Sequence, residues 1–150
     1  MLHHNQLDIQ QTQNEGITSL NLHGKLDMGS GEIALRDFVQ SLLDGGNRKL
    51  MLNLAAVSDI DSSAIGMLLL LAEQYSNAAG KLVLFNVPRE HGKVYEMARL
   101  EAAIEIYRDE LDATNSFFPD RRPPRYDILE YVESQSHTES QSHEDKNDKT

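Results

Sequence analysis

Two serines behind an aspartate, in the stretch Asp59-Ile60-Asp61-Ser62-Ser63-Ala64-Ile65-Gly66, are the residues of this chain best placed to do chemistry. The stretch follows an apolar strand and opens a helix. In parallel α/β sheets that is where ligands and functional groups gather. Asp61, Ser62 and Ser63 are all residue types that cap helices by accepting hydrogen bonds from the unpaired amides of the first turn. A hydroxyl in that position also tolerates a phosphate, because free amides and the positive end of the helix dipole stabilise an anion. Phosphorylation there would add about −1.5 to −2 charges and leave the helix folded. Plain capping accounts for the same residue types, and the two roles are compatible.

Other chemistries lack their residues. A serine hydrolase needs an activating base beside its nucleophile, and Ser62 does not lie in a Gly-x-Ser-x-Gly elbow. No Gly-x-x-x-x-Gly-Lys-Ser/Thr phosphate loop is present. His3 and His4 are adjacent, His91 opens a predicted helix, and His137 and His143 sit in a polar repeat, so none shows metal-ligand spacing. With no cysteine, disulfides, thiolate metal sites and thiol catalysis are excluded. No metal and no cofactor is expected.

The elements that must position the serines are legible from periodicity. Leu7-Asp8-Ile9-Gln10 and Ile17 to Leu22 alternate around Asn14-Glu15-Gly16, which predicts a hairpin. Gly24 and Asp27 mark a loop. Ile33, Leu35, Phe38, Val39, Leu42 and Leu43 predict an amphipathic helix from Glu32 to Leu43, capped by Ser30 or Gly31 and ended by Asp44-Gly45-Gly46. Leu50 to Leu54 reads as a strand buried on both faces. Ser58 to Gly66 is a polar turn running into a helix from about Ser63 to Ala79. Lys81 to Val87 is a second buried strand, Arg89 to Leu100 a third helix, Ala103 to Tyr107 a short last strand, and Asp109 to Ala113 a helical turn. The order β-β-α-β-α-β-α-β predicts an α/β domain with a mixed sheet of four or five strands and helices packed beside it.

Six successive apolar residues, Met67 to Ala72, occupy the second helix. They exceed the stripe that one packed face needs, so part of the turn is either surplus for docking or covered from both flanks.

The chain carries a net charge of −10: residues 1–114 hold sixteen acids and nine bases, residues 115–150 eight acids and five bases. An acidic domain without a basic patch repels nucleic-acid backbones. The N-terminal residues show no secretory signal. The longest apolar-rich stretch, Ala64 to Ala72, is far short of the roughly 20 residues that span a bilayer. A cytoplasmic protein with no nucleic-acid and no membrane partner is expected.

Four landmarks in register carry a resemblance to a known family: Gly24-Lys25-Leu26-Asp27, the strand Leu50 to Leu54, Asp61-Ser62-Ser63-Ala64-Ile65-Gly66, and Gly80-Lys81-Leu82-Val83-Leu84. In their order and separation the chain resembles a STAS domain of the anti-sigma factor antagonists, over about residues 7–114. The resemblance implies a protein without catalytic activity. It implies phosphorylation at Ser62, with Ser63 the lesser candidate, by an anti-sigma factor that is also a serine kinase, and resetting by a serine phosphatase. The docking surface it implies comprises Asp27, Asp59, Asp61, Ser62, Ser63, Ala64, Gly66, Met67 and Leu70. A homodimer is a further expectation. The alternative is a scaffold without phosphorylation, or a subunit of a stress-signalling or lipid-transport complex. The chain departs from the family at Ala64, where glycine is usual, and at Met28-Gly29-Ser30-Gly31, where Ala, Thr or Pro is usual.

The domain is expected to fill residues 1–114, and residues 115–150 to form a disordered tail. In the tail, Glu133-Ser134-Gln135-Ser136-His137 recurs as Glu139-Ser140-Gln141-Ser142-His143, with too little apolar surface to offset chain entropy. Arg121, Arg122 and Arg125 form a basic cluster there. It is either solvated linker or an arm that folds back on acidic surface near Ser62.

Overall fold

A computed structural model describes residues 7–88 and 99–121. β1 (Asp8–Asn14) and β2 (Ile17–Leu26) pair antiparallel through a two-residue turn. Glu15 and Gly16 both take positive φ, 56° and 80°, the backbone that matches the right-handed twist of a tight hairpin. α1 (Ser30–Asp44), β3 (Lys49–Ile60), α2 (Ser62–Asn77), β4 (Lys81–Phe85), β5 (Glu105–Tyr107) and α3 (Glu110–Asn115) follow. The sheet order is β1-β2-β3-β4-β5, with β2 to β5 all parallel. Most of the predicted third helix lies outside the described residues; residues 99–101 are helical.

Alternation along the central strands divides two cores. Leu50, Leu52 and Leu54 of β3 face α1 and α2 and pack with Leu35, Val39, Leu68, Leu71 and Tyr75. Met51 points the other way and joins Ile17, Val83, Phe85, Tyr107 and Ala113 of α3, with Phe117 and Phe118 against them. The continuous apolar run of β3 thus reflects burial on both faces.

Four sequence expectations are corrected here. β3 does not stop at Leu54 but continues to Ile60, beside His23 to Leu26 of β2, and Gly24 lies in β2 rather than in a loop. The register shifts between Asn21 and His23 and between Gly24 and Lys25. These irregularities put Val57 and Ile60 on the core side three residues apart, which hides the strand from a search for period two. Phe117 and Phe118, assigned to the tail, cover the second core, so the packed unit reaches past residue 114. Arg121 stacks its guanidinium 3.9 Å from the Phe118 ring centroid and meets Glu15 Oε1 at 3.3 Å. Glu15 precedes β2, at the opposite end of β3 from Ser62. The two are roughly 35 Å apart at the rise of an extended strand, so Arg121 does not reach Ser62. Arg122, Arg125, the polar repeat and its histidines lie outside the described residues, as do His3, His4 and His91.

Candidate functional site

Ile60, buried, ends β3 on the core side, and the chain then turns out of the sheet into α2. Asp61 is the N-cap, with an extended backbone. Of the three capping candidates it alone takes the role: its Oδ1 accepts from the Ala64 amide at 2.9 Å. Its Oδ2 accepts from the Met28 amide at 2.9 Å. One carboxylate therefore closes the first turn of α2 and anchors the segment between β2 and α1.

The neighbouring serines part company. Ser62, the first helical residue, is exposed, and its hydroxyl has no partner among the described residues. Ser63 is half-buried and donates from Oγ to Glu32 Oε1 on α1 at 2.7 Å. Glu32 is held by its own amide, which donates to the Asp27 carbonyl at 3.0 Å. The glycines that depart from the family pattern build this approach. Gly29 has φ 105° and ψ −130°, a backbone open mainly to glycine. A Cβ on Gly31 would collide with the Lys25 carbonyl oxygen, so only glycine brings α1 this close to β2.

Helical spacing sorts the expected docking residues. Ser62, Gly66 and Leu70 lie four apart on one exposed stripe, with Leu70 50% exposed. Nothing stands within 4 Å of where a Gly66 Cβ would be. Ala64 and Met67 are buried, 0% and 5% exposed, because they fall on the inward face with Leu68 and Leu71. Their place on the docking surface is corrected, and the alanine in place of glycine at residue 64 meets the domain's own core. Most of Met67 to Ala72 is likewise covered; Leu70 is its exposed member. Asp59 is exposed at the end of β3, aligned with Lys25, and Asp27 is half-buried.

Met28 and Glu32 were not among the expected site residues. Met28 is 72% exposed next to Asp61. Its apolar side chain among Asp27, Gly29 and Ser30 was a signal in the sequence; nothing local reveals which helix Glu32 faces. Among the described residues no three His, Cys, Asp or Glu side chains group as metal ligands. Nor is any helix among the described residues long and apolar enough to cross a membrane.

The fold recurs in solved structures. Phosphorylated SpoIIAA, a Bacillus cell fate determinant, is 20% identical with a TM-score of 0.56, over 73% of this chain and 99% of that one. An anti-sigma factor antagonist from Mycobacterium paratuberculosis is 16% identical with a TM-score of 0.64, over 73% and 92%. The murine anion transporter Slc26a9 contains a similar unit, 20% identical with a TM-score of 0.53, over 69% of this chain and 18% of the transporter. Each is a likeness of fold. The profile of the STAS domain matches residues 8–113, the span of the sheet with its helices, and the chain belongs to that family.

Proposed function

We propose that this protein is an anti-sigma factor antagonist that exchanges partners according to the phosphorylation of Ser62. In this reading the unmodified surface binds an anti-sigma factor with serine kinase activity in the cytoplasm. The kinase phosphorylates Ser62 and releases the antagonist, a serine phosphatase restores it, and the antagonist catalyses nothing itself. The observation that carries the reading is the exposed, unbonded Ser62 hydroxyl at the head of the stripe running through Gly66 to Leu70, with Met28 beside it. A phosphate there leaves the core untouched and lands in the contact area close to the Asp61 carboxylate. An unpaired charge in an interface costs about 2–5 kcal/mol, or roughly a hundredfold in affinity at tenfold per ~1.4 kcal/mol. Calorimetry with the kinase anti-sigma factor tests this: Ser62→Ala is expected to bind like wild type, and Ser62→Asp about a hundredfold more weakly. Equal binding by both variants overturns the switch.

A second reading, a scaffold or complex subunit that needs no phosphate, is favoured by the occurrence of a similar unit within the anion transporter. Ordered assemblies of the unmodified full chain, self-associated as dimers or larger, would support it.

A further inference from the structure

Ser62 and Ser63 are adjacent and chemically alike, yet only one hydroxyl is free. We propose that Glu32 restricts modification to Ser62 by holding the Ser63 hydroxyl, so that a residue of α1 sets which serine of α2 is used. The proposal rests on the reading of Ser62 as the phosphorylated residue.

The geometry supports it at three points. The Ser63 Oγ proton is already committed to Glu32 Oε1 at 2.7 Å, in a half-buried place between the helices. Hydrogen bonds to a charged acceptor are the strong ones, and breaking this one must precede any reaction at Ser63. Glu32 is itself fixed, through its amide on the Asp27 carbonyl and through the close approach that Gly31 permits. A phosphate on Ser63 would also face the Glu32 carboxylate, like charge against like charge.

Ser62 is exposed and its hydroxyl holds no hydrogen bond among the described residues, so nothing has to break before it reacts. Transfer forms a bond from Ser62 Oγ to the γ-phosphorus of a nucleoside triphosphate and breaks the bond to the bridging oxygen. The nucleoside diphosphate leaves, and the hydroxyl proton passes to a base of the kinase. Glu32 takes no part in that step; it is a positioning residue.

Two measurements on the full chain test the proposal. In the first, wild type, Ser62→Ala, Glu32→Ala and Glu32→Gln are incubated with magnesium and ATP in a lysate of the source cells, and the phosphate is located by fragment-ion mass spectrometry. Wild type is expected to carry it at Ser62 alone, and Ser62→Ala to carry none. Glu32→Ala is expected to gain Ser63 phosphate by about tenfold or more over wild type, the worth of a hydrogen bond to a charged group. Glu32→Gln, which keeps an acceptor oxygen but not the charge, is expected to carry less Ser63 phosphate than Glu32→Ala. In the second, Hα–Hβ couplings by NMR are expected to show one χ1 rotamer at Ser63 in wild type and averaging in Glu32→Ala, with Ser62 averaged in both. Phosphate at Ser62 with none at Ser63 in Glu32→Ala overturns the Glu32 proposal alone, as do averaged Ser63 couplings in wild type. Phosphate on neither serine in any variant overturns the Ser62 reading, and the selectivity falls with it.

Discussion

The two ends of the parallel sheet are built to opposite purposes. Where β2, β3 and β4 begin, side chains from distant parts of the chain are tied together. Lys81 Nζ donates to Glu105 at 3.1 Å and to the Ser116 carbonyl at 2.8 Å, and lies over the Phe117 ring. Tyr75 donates to Asn47 at 2.8 Å, and Asn47 to Thr18 at 2.9 Å. Where β3 ends, the Asp61 carboxylate and the Glu32–Ser63 pair hold the loop and the helix start, and the outer stripe of α2 is left open. The difference teaches that this domain keeps its stability at one end, and so leaves the other free to change its surface without unfolding.

That contrast can be broken by experiment. The largest effect is expected from Phe117→Ala. It should cost about 2–3 kcal/mol in urea denaturation, somewhat below a fully buried phenylalanine because Phe117 is half-buried, and should leave partner affinity unchanged. Lost affinity in the folded variant would show the two ends to be coupled.

Alkali probes the same end. Burial pushes the Tyr75 phenol up to about 12 from 10.0, against a smaller lowering by Arg48. The native state therefore holds a proton that the unfolded chain gives up. The contribution is complete below pH 10 and is lost as pH rises towards 12, by about 2–3 kcal/mol. Tyr75→Phe should flatten that part of the stability profile; an unchanged slope would deny Tyr75 the role.

At the open end the effects are smaller. Asp61→Ala removes the cap and the hold on Met28, and should lower stability by about 1–2 kcal/mol in thermal melts. Gly66→Ala should do the reverse, raising stability by up to about 1 kcal/mol because a Cβ there meets only open space. It should weaken the partner complex measured by calorimetry. A Gly66→Ala variant that binds as well as wild type would remove Gly66 from the docking stripe.

Much of the fold was legible in the residues. The Glu15-Gly16 turn, the apolar periodicity of α1 and the glycines after it, and the doubly buried strands all express local preference. The end of β3 was not, because irregular pairing with β2 changes the spacing of its core residues from two to three. Phe117 and Phe118 read as tail because most of the sheet face they cover, Ile17, Met51, Val83 and Phe85, is contributed by β2, β3 and β4, far earlier in the chain.

The site divides along the same line. A capping cluster at a strand-to-helix junction follows from residue types and spacing alone, and the choice of Ser62 within it from the family resemblance. Tertiary packing decided that Asp61 also holds Met28, that Ser63 is held by Glu32, and which face of α2 is covered, so that Ala64 and Met67 are buried while Gly66 and Leu70 face out. The physical reason is distance along the chain. Capping and periodicity act within a few residues, whereas the bonds from Met28 to Asp61 and from Ser63 to Glu32 join groups 33 and 31 residues apart, and exist only once α1 and α2 pack side by side.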